Sequence, residues 1–101
     1  MAQTRLVTVT FNPAVDRVLE APKFAVGSHI RATRKGWYPA GKGINVARVL
    51  GTLGSRCIAT GFVGRDELAL FEEYLERAGE GRIVMQLLVI RGQTRHNITI
   101  V

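Results

Sequence analysis

One cysteine, three prolines and one tryptophan in 101 residues exclude several kinds of protein at once. A lone thiol, Cys57, cannot close an internal disulfide, so this is no disulfide-stapled scaffold. Its place in the apolar run Cys57-Ile58-Ala59 marks it as a small buried hydrophobe rather than a redox centre. No apolar run approaches the ~18 residues that a membrane-spanning helix needs. The leading Met-Ala-Gln-Thr-Arg passes straight into a strand pattern and not into a signal-peptide core, which makes a cytosolic protein the expectation. Neither His29 nor His96 has metal-ligating neighbours at a recognisable spacing, so no protein metal site is expected. Internal repeats, linkers and low-complexity segments are missing as well. What is present is a hydrophobic content of 47%, enough for the core of a single domain.

Acidic residues are scarce in the first half only. Residues 1–50 hold eight Lys or Arg against Asp16 and Glu20, whereas residues 51–101 hold six of each sign, so the whole net charge of +6 lies in the first half. A basic half suits nucleic acid. Yet only Arg34 and Lys35 are adjacent, with Trp37 and Tyr38 the only aromatics close to them. A phosphorylated small molecule needs the same positive field on a smaller scale, and that reading ranks above nucleic acid.

The hydrophobic pattern alternates between strand and helix. Arg5 to Phe11 reads as a β-branched strand stopped by Asn12-Pro13, Arg17 to Leu19 as a short second strand, and His29 to Tyr38 as a half-exposed cationic strand. Gly43 to Leu53 has helical spacing, interrupted by Gly51 and closed by Gly54. Arg56 to Val63 is the next strand. Asp66 stands as cap of a helix over Glu67 to Ala78, with Glu67 complementing the dipole and Gly79 ending it. Arg82 to Ile90 and Arg95 to Val101 read as strands joined by Gly92-Gln93 in a hairpin, with Met85 and Leu87 to Ile90 in the core.

The most informative stretch is Pro39-Ala-Gly-Lys-Gly-Ile-Asn-Val-Ala-Arg-Val49. Two glycines one residue apart let the backbone turn sharply beside a ligand, and the helix that follows presents unpaired N–H groups and a positive dipole end. The stretch is neither a Walker A loop, since no Ser or Thr follows Lys42, nor G-x-G-x-x-G, since Val46 stands at the third glycine. Three more stretches accompany it in order: Asn12-Pro-Ala-Val-Asp16 after the first strand, Thr60-Gly-Phe-Val-Gly-Arg-Asp66, and Gly92-Gln-Thr-Arg-His-Asn-Ile-Thr-Ile100. Together they resemble the amino-terminal part of a ribokinase-like (PfkB) sugar kinase, nearest the branch that phosphorylates fructose 1-phosphate and tagatose 6-phosphate. The resemblance runs from about Leu6 to the last residue.

That resemblance implies an α/β fold, the amino-terminal portion of a ribokinase-like layered sheet with a small β-lid. Residues 1–101 are then one incomplete domain, with lid strands at about 17–38 plus parts of 82–101. It also implies that Asp16 binds sugar hydroxyls, that Gly41, Lys42, Gly43 and Asn45 form the sugar-contacting turn and hinge, and that Arg95, with Asn97 beside it in Thr-Arg-x-Asn, grips the substrate phosphate. His29 falls where relatives carry a cationic lid residue. Family members are far longer and place their catalytic base in a Gly-Ala-Gly-Asp motif near their carboxyl terminus. No such motif occurs here. The expectation is therefore a fragment that holds much of the acceptor site without the base, with ATP and Mg2+ belonging to the full-length enzyme and neither bound by this chain alone. Thr99 stands where the nearest branch often has lysine, which leaves the identity of the sugar phosphate open. An alternative is a non-catalytic module that pairs with itself through the lid strands.

Overall fold

The computed structural model describes residues 5–101. The elements run β1 (Val7–Thr10), β2 (Ala14–Glu20), β3 (Thr33–Ala40), α1 (Lys42–Thr52), β4 (Cys57–Gly64), α2 (Leu68–Gly79), β5 (Ile83–Ile90) and β6 (Arg95–Ile100), with a 3-10 turn at Arg65–Glu67 before α2. They form a mixed α/β fold with two three-stranded sheets, ordered β1-β4-β5 and β3-β2-β6.

The first sheet is parallel throughout, with Val7 opposite Ile58 and Cys57 opposite Ile83. Alternation along its strands sends Cys57, Ala59, Val63 and Ile83 to one face, where they meet Ile44 and Ala47 of α1 and Phe71 and Leu75 of α2 in the core. Phe71, Leu75, Ala47 and Ala59 are fully buried there. Glycine sits where the two helices touch: a Cβ on Gly51 would lie 2.8 Å from Cα of Gly79, so the residue that weakens α1 locally is the one that lets α2 approach. Residues of the opposite parity, Val7, Val9, Phe62, Val84 and Leu88, lie on the other face and are exposed. Cys57 is buried and carries a free thiol, pushed up in pKa by that burial. No helix among the described residues is long and apolar enough to cross a membrane.

In the second sheet, β2 pairs antiparallel with β3 and parallel with β6, and the register with β3 shifts between Val18 and Leu19. Beyond that shift, Lys35 meets Glu20 at 2.6 Å, and the hydrogen bond and negative charge of Glu20 push the lysine pKa up. On the face opposite Asp16, the guanidinium groups of Arg17 and Arg34 each lie 4.5 Å from the Trp37 ring centroid, and His96 meets that ring edge-on at 5.8 Å.

Several sequence-based expectations need correction. The segment from Arg82 onward makes no hairpin: β5 joins the first sheet and β6 the second. The chain turns away after Ile90 because Thr94 is held at the β4–α2 turn by Gly64 and Glu67. Asp66 does not cap α2, whose N-cap is Glu67, without a side-chain capping bond; Asp66 lies in the preceding 3-10 turn. Gly79 is the last helical residue, and Glu80, at φ 50, takes the left-handed position. Strand β2 is longer than expected because it pairs with β3 on one side and β6 on the other from Ala14 onward, and β3 starts at Thr33, leaving His29 in an exposed loop. Leu88, Val89 and Ile90 are exposed rather than core: Leu88 and Ile90 lie on the face that no helix covers, and Val89, on the helix side, stands near the end of an edge strand. Gly54 does occupy the left-handed region after α1, at φ 88.

Candidate functional site

The carboxyl end of β1, the start of α1 and the start of β6 enclose a pocket of about 410 Å³, lined by Val9 to Asn12, Gly41, Lys42, Gly43, Asn45 and Arg95. Its position follows from local sequence. Pro13 breaks the β1 pattern and turns the chain out of the first sheet, and Gly41, at φ 135, admits the chain into α1 by a backbone conformation that side chains disfavour. The first helical hydrogen bond runs from Asn45 N–H to the Gly41 carbonyl at 2.8 Å, so the N–H groups of Lys42, Gly43 and Ile44 have no acceptor within the helix. Gly43 brings that helix start against β1: a Cβ there would lie 2.7 Å from the Val9 carbonyl oxygen and would collide with Thr10 Oγ1.

Arg95 arrives from the far end of the sequence because β6 pairs with β2, setting Arg95 opposite Ala14. Its guanidinium donates to the Asn12 carbonyl at 3.5 Å. Two positions along the same strands, Asp16 faces Asn97, and Asn97 Nδ2 donates to Asp16 Oδ1 at 3.1 Å. Alternation puts Arg95, Asn97 and Asp16 on one face of the small sheet. Of the residues singled out in the sequence, Gly41, Lys42, Gly43, Asn45 and Arg95 therefore line one pocket, while Asp16 and Asn97 form a pair beside it. His29 lies outside the lining.

Three residues near the pocket escaped the sequence reading. Asn12 reads as a turn former, yet it lines the pocket and holds Arg95 through its carbonyl. Thr10 looks like an ordinary strand residue; it is buried, and its Oγ1 has no hydrogen-bond partner among the described residues. Tyr38 stands opposite Asp16 on β3, half-exposed. Only strand register, which no local pattern carries, identifies the last.

Lys42 and Arg95 give the pocket two cations beside a helix dipole's positive end, and no acidic residue lines it. The chemistry of such a site suits an anion, and a carboxylate–amide pair such as Asp16–Asn97 next to it suits hydroxyl groups. A larger concavity of about 470 Å³ opens near Arg5, Arg56, Cys57 and Arg82, where β4 and β5 begin. It is the weaker candidate, since parallel sheets bind ligands at the carboxyl ends of their strands and Arg82 is occupied by the Gly51 carbonyl at 2.8 Å.

Known proteins resemble the chain over most of its length. The chain is 38% identical over 97 residues to 1-phosphofructokinase of Vibrio cholerae, covering 96% of this chain and 30% of that protein. It is 35% identical over 95 residues to tagatose-6-phosphate kinase of Staphylococcus epidermidis, covering 94% of this chain and 30% of that protein. Phosphofructokinase-2 of Escherichia coli, solved in complex with substrates and products, superposes with a TM-score of 0.83 at 25% identity, over 96% of this chain and 31% of that one. The tetrameric inhibited form of the same enzyme gives 0.76 at 26% identity, with coverage of 97% and 31%. The chain thus spans about 30% of the length of the curated relatives it matches. A model of the pfkB family of carbohydrate kinases matches residues 7–101, and the chain belongs to that family.

Proposed function

We propose that this chain is the acceptor-binding part of an ATP-dependent sugar-phosphate kinase, with fructose 1-phosphate or tagatose 6-phosphate as the acceptor. The observation that carries the reading is convergence: a helix start from residues 41–45 and a guanidinium from residue 95 line one pocket where the two sheets join, with a carboxylate–amide pair from residues 16 and 97 beside it. In this reading Arg95 holds the phosphate through two N–H groups, as the planar fork of a guanidinium allows, and Lys42 adds charge. Asp16 accepts from sugar hydroxyls, while Asn45 and Asn97 both donate and accept. Gly41 and Gly43 form the joint between the first sheet and the small sheet, which acts as a lid over the sugar. His29, in the exposed β2–β3 loop, is a lid contact made when that loop folds inward.

The whole kinase would use ATP with Mg2+, the metal neutralising the polyphosphate during phosphoryl transfer. Among the described residues no group of three or more His, Cys, Asp or Glu is arranged to hold a metal. The test is a titration with fructose 1-phosphate and tagatose 6-phosphate against the unphosphorylated sugars. At least one phosphorylated sugar is expected to bind roughly tenfold tighter or better, since a hydrogen bond to a charged group contributes ~1.5–3 kcal/mol. Equal binding of sugar and sugar phosphate would contradict the reading.

A separate observation favours a second property. On the face of the small sheet away from Asp16, Ile98 and Ile100 are 58% and 49% exposed, in register with Arg17 and Leu19. An apolar sheet face of this kind is commonly covered by a partner, and we propose a second copy of the chain. Ile98→Glu would bury a charge in that contact and is expected to weaken dimerisation by about tenfold or more. Light scattering after size exclusion reads it. A parent chain that is monomeric at micromolar concentration would overturn the proposal.

A further inference from the structure

Between Arg91 and Val101 one residue is buried, Thr94. Its hydroxyl accepts from Gly64 N–H at 2.8 Å, and its own N–H donates to Glu67 Oε1 at 3.0 Å. The same carboxylate oxygen lies 3.6 Å from His96 Nε2. Glu67 is 7% exposed, and its Oε2 has no hydrogen-bond partner among the described residues. A carboxylate buried with one oxygen unsatisfied is costly. What it does is join two parts of the fold: Glu67 belongs to the turn that follows β4 of the first sheet, and Thr94 leads into β6 of the second.

That junction matters because, among the described residues, β6 is an edge strand paired only with β2. Edge strands open most readily at their ends. The far end of β6 is tied by Ala21 N–H to the Val101 carbonyl at 2.9 Å. The near end, where Arg95 follows Thr94 directly, is tied by Thr94. Release of that tie lets the guanidinium drift from the pocket, and a displacement on the order of 1 Å is enough to lose a positioned contact.

We propose that Glu67 is a positioning residue for the acceptor site: its buried carboxylate fastens the pocket end of β6 to the core and so fixes where Arg95 and Asn97 stand. The consequence for ligand rests on the sugar-phosphate reading above; the tie itself does not. In the 101-residue chain without ligand, Glu67→Ala removes the acceptor of Thr94 N–H. Amide hydrogen exchange in Arg95 to Asn97 should then quicken by roughly ten- to hundredfold, with β1, β4 and β5 unchanged. Glu67→Gln keeps an oxygen for that N–H and should restore most of the protection, whereas Glu67→Met, which fills the same space without an acceptor, should not. Should Glu67→Ala fail to fold, Glu67→Met, which keeps the volume and removes only the acceptor, carries the same expectation for β6. Exchange in β6 that does not exceed the change in β4, or a Glu67→Gln chain no better protected than Glu67→Ala, overturns the proposal.

Affinity separates the two readings. Glu67→Ala should weaken fructose 1-phosphate or tagatose 6-phosphate binding about tenfold, and faster exchange with unchanged affinity overturns the positioning role. If Arg95→Ala also leaves affinity unchanged, the fault lies with the sugar-phosphate reading, and the exchange data still decide whether Glu67 is the tie.

Discussion

Arg95→Ala is expected to lower the affinity of the chain for its sugar phosphate by roughly ten- to more than a hundredfold, the ~1.5–3 kcal/mol of a charged hydrogen bond. The unphosphorylated sugar should lose far less, because the contact removed would not exist there. Arg95→Lys should fall between, keeping the charge but losing the two-pronged geometry. Arg95 is exposed and its observed tie is a long one, 3.5 Å to the Asn12 carbonyl, so its removal leaves the fold intact and the effect reads on the ligand. Calorimetry on both sugars measures it. Equal weakening of the two would make Arg95 an ordinary strand residue.

Gly43→Ala is expected to disturb both stability and the site. The added methyl would stand 2.7 Å from the Val9 carbonyl, where backbone faces it rather than a flexible side-chain end, so the start of α1 must move off β1. Overpacking of this kind costs ~1–3 kcal/mol, and each kcal/mol lowers the melting temperature of a domain this size by roughly 4–8 °C. Since Gly43 and Val9 both line the pocket, sugar-phosphate affinity should fall with it. Gly54→Ala is the comparison: open space surrounds that position and φ is 88, so it costs ~1–2 kcal/mol of backbone strain and should leave binding unchanged. A Gly43→Ala chain that melts like the parent and binds as tightly would mean that α1 does not press on β1 as described.

Much of this architecture was legible because periodicity is a local property. The alternation around Val7 to Thr10 and Cys57 to Val63, the helical pattern over Gly43 to Leu53, and the helical spacing of Leu68, Phe71 and Leu75 placed these elements to within a few residues. What the sequence hid is non-local. Gly92-Gln93 between two apolar runs looks like a hairpin, but the outcome was decided by a buried carboxylate 27 residues back in the chain. Glu67 itself reads as a dipole-complementing residue, since a Glu at a helix start is usually solvated. Leu88 and Ile90 look like core because strands of parallel sheets are apolar on both faces, and in this chain helices cover one face. The site shows the same division. The Gly41–Asn45 turn announced itself by composition, whereas Arg95 and the Asp16–Asn97 pair needed the parallel pairing of β2 with β6 to bring residues about 80 apart together.

The most direct test is to follow the backbone amides of the whole chain by NMR while fructose 1-phosphate, and separately tagatose 6-phosphate, is added. The expected result is saturable movement of Gly41, Lys42, Gly43 and Asn45 together with Arg95 and Asn97, reproduced only weakly by the unphosphorylated sugars. Movement confined to the concavity around Arg5, Arg56 and Arg82, or no movement with either sugar phosphate, would contradict the assignment of the acceptor site.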